Sequence, residues 1–153
     1  MSDQEYVSAV NSVISICKDA QLGFDGAAKA VNSSSLKSVF EQYSTQRAGF
    51  IRELQELLRD SGEHAADPAG VAGTLHSGWM ALKGVLTGHS EHQILIETER
   101  GEDLSLKTYR DALSKNIPVQ VRSVLEKQLQ LVQEAHNWIR DLRDKAGQTA
   151  KQV

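Results

Sequence analysis

The sequence predicts an all-α protein, a four-helix bundle with a long, helix-containing crossover between its second and third helices. Three observations predict it. Apolar residues recur at alternating steps of three and four along four long stretches. Capping and stop signals delimit those stretches, closely spaced between the first and second and between the third and fourth. A much longer connection, with a helical pattern of its own, separates the second from the third. At 153 residues the chain fits one domain spanning 1–153.

The first helix is predicted over about 3–32, opened by Ser2 and Glu5 at capping-box spacing, with the seam Val10, Val13, Cys17, Ala20, Phe24, Ala27 and Val31. Asn32-Ser33-Ser34-Ser35 ends it and caps the second helix, about 35–61, whose seam is Leu36, Phe40, Tyr43, Arg47, Phe50, Leu54 and Leu57. Gly62 is its stop signal. Asp67 followed by Pro68 marks the start of a crossover helix, about 68–87, that Gly88 closes. Ser90 and Gln93 form a second capping box for the helix over about 90–115, with the seam Leu95, Glu99, Glu102, Leu106, Tyr109 and Leu113. Asn116 breaks that helix. Pro118 opens the last, about 118–147, with Val121, Leu125, Gln128, Val132, Ala135, Ile139 and Leu142 on its seam and a frayed tail after Gly147. A crossover of this length lets the second and third helices run parallel, which is the ferritin-like topology.

Composition narrows the function classes. Hydrophobic residues make up 40% and charged residues 24%, ordinary for a soluble domain. The net charge of −3 comes from mixed signs without a basic stripe, so no nucleic-acid partner is expected. The acidic, polar start lacks the features of a signal peptide, and no apolar run reaches the ~20 residues that cross a bilayer. A cytoplasmic protein of bacterial type, without membrane association, is the expectation. Cys17 is the single cysteine, so there is no disulfide framework.

Chemistry concentrates where the apolar seams are interrupted. Arg47 stands midway along the second helix and Glu99 and Glu102 midway along the third. With those helices parallel, the three charges share a height. Gln128 and His136 flank that level on the fourth helix, and Gln21 and Cys17 flank it on the first. Single buried polar groups are costly, so a polar layer made of Gln21, Arg47, Glu99, Glu102 and Gln128 is expected. Di-iron bundles need one Glu from each of two helices and a Glu-x-x-His pair from each of the other two. None of the four long helices carries Glu-x-x-His; the fourth has Gln133-Glu134-Ala135-His136. A structural ion pair of Arg47 with Glu99 and Glu102, helped by amide and tyrosine groups, is therefore the leading reading, and no cofactor is expected. The alternative is an iron-binding or oxidase-like bundle using Glu99, Glu102 and His136.

His89 and His92 have ligand-like spacing but read as solvent-facing, as do His64 and His76. Cys17 reads as a buried small hydrophobe, and Asp19 and Asp25 as solvated surface. No phosphate loop or nucleophile motif is found. The crossover helix carries a small-residue stripe (Gly70, Gly73, Ser77, Ala81, Gly84) and a bulky one, Leu75, Trp79, Leu82 and Leu86. An exposed stripe of the second kind would be a self-association face, making the protein a homo-oligomer or the binder of a protein partner. A third reading is a bundle that takes an apolar ligand or a partner helix along its seam.

Four segments carry a family resemblance: Cys17-Lys18-Asp19 through Gly23-Phe24, Tyr43-Ser44-Thr45-Gln46-Arg47 with Phe50, Leu75-His76-Ser77-Gly78-Trp79 through Gly88, and Glu99-Arg100-Gly101-Glu102-Asp103. Together they resemble an uncharacterised family of small bacterial ferritin-like four-helix-bundle proteins, mostly proteobacterial. The resemblance covers nearly the whole chain. It implies a ferritin-like fold and a cytoplasmic, stress-linked protein without an established activity, and it supplies no catalytic residue. Gln21 stands where the resemblance leads one to expect Glu.

Overall fold

A computed structural model of the chain describes residues 3–60, 62, 79 and 90–152. Among the described residues four helices are laid out: α1 (Asp3–Ala30), α2 (Ser34–Asp60), α3 (Glu91–Leu113) and α4 (Val119–Gln152). Their ends follow the local chemistry. The Ser33 hydroxyl accepts from the Leu36 amide at 3.2 Å and starts α2. Gly62, at φ +78°, donates its amide to the Arg59 carbonyl at 2.9 Å just past the end of α2. Ser90 is the N-cap of α3, accepting from the Gln93 amide at 3.1 Å. The Gln93 side chain does not complete the capping box but donates to Glu97 at 3.0 Å. The Pro118 carbonyl accepts the Arg122 amide at 2.9 Å as α4 begins.

The C-terminal end departs from expectation. Gly147 does not end α4, which continues to Gln152. A Cβ at Gly147 would lie 3.2 Å from Nε2 of His92. This glycine therefore serves a close approach between α3 and α4, not a stop.

Side-chain pairings fix the helix directions. Lys37 donates to the Ala28 carbonyl and Ser44 to that of Gln21, so α1 and α2 are antiparallel. Tyr109 with Gln128 and Glu99 with Arg143 make α3 and α4 antiparallel. Cys17 meets Tyr109, and Gly23 and Gly101 approach the same side chain, so α1 and α3 are antiparallel too. The α2–α4 contact is thin, marked by Glu53 with Gln128 and Tyr43 with Trp138. The diagonal helices α2 and α3 are consequently parallel, so Asp60 and Ser90 lie toward opposite ends of the bundle. The all-α four-helix bundle expected from the sequence is present, with its second and third helices parallel.

The predicted crossover helix over about 68–87, its Asp67-Pro68 start, its small-residue stripe, and Leu75, Leu82 and Leu86 lie outside the described residues, as do His64, His76 and His89. Trp79 is described, and it corrects one expectation. Its side chain is 0% exposed, lodged between α1 and α3 of its own bundle. Trp79 is thus not part of an exposed self-association face.

The predicted seams supply most of the core, although Tyr43, Leu57, Leu113 and Leu142 are only half-buried and Leu58, not Leu57, is the buried leucine near the end of α2. Every named seam residue of α1 is buried, as are Leu36, Phe40, Phe50 and Leu54 of α2 and Val121, Leu125, Val132, Ala135 and Ile139 of α4. Apolar packing falls into two clusters. The first gathers Val10, Val13, Leu54, Leu106 and Leu125; the second gathers Phe24, Phe40, Trp79, Leu95 and Ile139. Between them, at the waist of the bundle, lie the charges. Among the described residues no helix is long and apolar enough to cross a membrane.

Candidate functional site

The waist is built from α2 and α3. Position 47 points inward on the α2 seam, and positions 99, 102 and 105 do so on α3, so the helical period delivers polar side chains to the interior. Arg47 Nη1 and Nη2 donate to the two carboxylate oxygens of Glu102, each at 2.6 Å. Exposure is 1% for Arg47 and 0% for Glu102. The third guanidinium position is also used, since Nε donates to Gln46 at 3.2 Å. Arg47 Cζ lies 5.2 Å from the Phe24 ring centroid and 6.0 Å from that of Phe50. Burial alone would lower the Arg47 pKa. The Glu102 carboxylate, through its charge and hydrogen bonds, with smaller help from Cys17 and Tyr109, brings the group above its ordinary value.

A second polar chain crosses the bundle nearby, with one member from each helix. Cys17 of α1 and the Tyr109 hydroxyl of α3 are 3.2 Å apart. Tyr109 donates to Gln128 of α4 at 2.8 Å, and Gln128 donates to Glu53 of α2 at 2.8 Å. Glu53 is exposed, so the chain leads from solvent to a buried thiol. Burial raises the Cys17 thiol from 9.0 to about 11, only partly countered by its contact with Tyr109. Burial likewise carries the Tyr109 hydroxyl well above its ordinary value.

Glu99 belongs to a third group, on the α3–α4 side. Arg143 Nη1 donates to it, and His136 Nε2 lies 3.7 Å away. The nearer partner of His136 is Asp103, at 2.8 Å. The expected pairing of Arg47 with both carboxylates is thus corrected. Arg47 takes Glu102, while Glu99 turns toward α4 because Arg143 supplies a guanidinium there.

The candidates drawn from the sequence therefore separate. Arg47, Glu102 and Gln128 are buried in the interior network, and Glu99 is buried at its edge. Gln21 is half-buried and bonds through its backbone carbonyl to Ser44 at 3.0 Å; Cys17, one turn earlier, is the α1 member instead. Glu99, Glu102 and His136 are brought near one another but do not form one donor set. Asp19 is buried at 8% exposure, against its reading as solvated surface, and His92 is half-buried. The sequence reading missed Glu53, Asp103 and Arg143. Arg143 lies four residues past Ile139 and seven past His136, a helical spacing that places it beside the seam and could have flagged it.

These donors do not fit an iron site. Both oxygens of Glu102 are engaged by a tethered cation, Glu99 has its own, and a divalent ion between them would face two guanidinium groups. Among the described residues no group of three or more His, Cys, Asp or Glu side chains is placed to hold a metal ion.

A separate hollow opens where α2 and α4 part. It encloses about 320 Å³ and is walled by Leu36, Val39, Leu95, Trp138, Leu142 and Ala146, with Lys145 and Glu91 among its polar lining.

Comparison with curated proteins gives no match. The family model of a domain of unknown function, DUF2383, matches residues 5–115, through α1, α2, the connection and α3. The chain belongs to that family.

Proposed function

Starting from that family and this interior, we propose that the protein is a non-catalytic, ferritin-like bundle whose Arg/Glu layer fixes helix register instead of holding metal. The bidentate Arg47–Glu102 pair carries this reading. Two such charges are costly to bury and become tolerable only when each satisfies the other. A shift of either helix by one turn would leave a lone charge in an apolar core. The pair thus selects one alignment of α2 against α3. A cytoplasmic location and a link to stress are added by the family resemblance alone. Self-association through the connection would have to rest on Leu75, Leu82 and Leu86, without Trp79.

Elemental analysis of the purified protein, as isolated and after anaerobic incubation with ferrous iron, tests this reading. No stoichiometric metal is expected under either condition. A pair of irons per chain, lost on Glu99→Ala, would overturn it in favour of the oxidase-like alternative.

The hollow between α2 and α4 favours a second reading, a bundle that takes a small apolar ligand. Its volume of about 320 Å³ and its aliphatic and indole walls suit the lower end of small-molecule pockets. Mass spectrometry of native and denatured protein would reveal a co-purifying ligand. Loss of that ligand in a Leu142→Arg variant would locate it in the hollow.

A further inference from the structure

Trp79 fills a closely fitted slot between α1 and α3. The indole lies against Gly23 of α1 and Gly101 of α3, both of which approach its six-membered ring. A Cβ at either position would overlap the ring, so only glycine leaves room for it. Phe24 contributes an edge contact, with ring centroids 4.9 Å apart at 61°. The ring N–H is also met. Trp79 Nε1 donates to the Ser105 hydroxyl at 3.2 Å, and that hydroxyl donates on to the Gly101 carbonyl at 3.2 Å.

Steric room, an aromatic edge and one placed acceptor together define a ligand class. They match a planar bicyclic aromatic that carries a ring N–H. The feature is not a generic apolar gap, because an unmatched N–H buried here would lose its water without recompense. Gly23, Phe24, Gly101 and Ser105 all belong to the four-helix body, whereas Trp79 belongs to the connection. Body and connection therefore meet as receptor and ligand.

We propose that Gly23, Phe24, Gly101 and Ser105 form an indole-binding slot, occupied in the intact chain by Trp79 and able to take free indole when that side chain is removed. Trimming a buried ring to glycine leaves an apolar cavity of the kind that binds small aromatic molecules. A ligand that enters only the folded state raises the melting temperature.

The test uses full-length Trp79→Gly with indole and with indene, which has the same shape but carbon in place of the N–H. Indole is expected to raise the midpoint of this variant and leave the wild type unmoved. Indole should bind about fivefold more tightly than indene, the value of one matched hydrogen bond. Adding Ser105→Ala should erase or reverse that preference, since the indole N–H then loses its acceptor, while indene stays bound. Equal binding of indole and indene with Ser105 present would overturn the assignment, as would no binding by calorimetry.

Should Trp79→Gly fail to fold, Trp138→Phe leaves Trp79 as the one tryptophan, read at wavelengths that do not excite tyrosine. Blue-shifted, iodide-protected emission that moves to the red on adding Gly101→Ala is then expected. Emission already red and quenchable before that change would overturn the proposal.

Discussion

Arg47 of α2 and Glu102 of α3 join diagonal helices through two parallel hydrogen bonds of 2.6 Å, with neither side chain reaching solvent. Breaking such a pair strands a charge, whereas replacing both partners removes the cost of burying them. Arg47→Ala should lower stability by about 3–5 kcal/mol in chemical denaturation. Arg47→Met combined with Glu102→Leu should recover most of that loss. Arg47→Lys should not, because an ammonium cannot make the two-pronged contact. A denaturation midpoint unmoved by Arg47→Ala would refute the buried pair.

The pair of Arg143 with Glu99 is a contrasting case. Arg143 is one-third exposed and also bonds Asp144 at 2.9 Å. Solvent screens an interaction of this kind, so Arg143→Ala should cost no more than about 1 kcal/mol. Measured beside Arg47→Ala under identical conditions, the two losses should differ several-fold.

Three helical glycines should respond to alanine with opposite signs. In an unconstrained helix, Gly→Ala stabilises by about 0.5–1 kcal/mol. Gly49 meets that condition, because its nearest neighbour would be Arg52 Nη2 at 3.9 Å, the end of a flexible side chain. Gly49→Ala should therefore raise the thermal midpoint. At Gly23 and Gly101 the new methyl would collide with the Trp79 ring. Each should instead lose about 1–3 kcal/mol through overpacking.

Alkaline pH should destabilise the fold. The Cys17 thiol holds its proton up to about 11 in the native state, against 9.0 ordinarily, because it is buried. The unfolded chain therefore releases this proton first. The associated stability is complete below pH 9 and is lost as pH rises from 9 to 11, in total about 3 kcal/mol. Tyr109 shifts in the same direction and adds to the slope. Thermal midpoints measured across this window should fall, and Cys17→Ala should flatten the decline. Native Cys17 should also react slowly with thiol reagents at pH 8.

What could be read from the sequence was whatever a single helix determines. The α1 seam from Val10 to Val31 is buried throughout because a 3.6-residue period is intrinsic to one helix. Ser33, Gly62 and Ser90 act at helix ends as their local chemistry dictates. Arg47 stood out for the same reason, as a charge on an otherwise apolar stripe. Partner choice was not legible, because it depends on register and rotation between helices. That is why Glu99 was assigned to Arg47 although its partner is Arg143, and why Gln21 was preferred to Cys17. Gly147 looked like a stop because glycine serves either to end a helix or to let two approach, and only the position of His92 distinguishes the two.

The arrangement of the four helices also bears on the order of folding. α1 with α2, and α3 with α4, are hairpins whose ends lie close along the chain, so each closes at little entropic cost. Arg47 and Glu102 sit on different hairpins, 55 residues apart, and meet only when the hairpins dock. For a contact made after the transition state, Arg47→Ala should speed unfolding and leave the folding rate nearly unchanged, which stopped-flow rates in both directions check. On that expectation the waist pair sets how long a folded molecule persists more than how fast it forms.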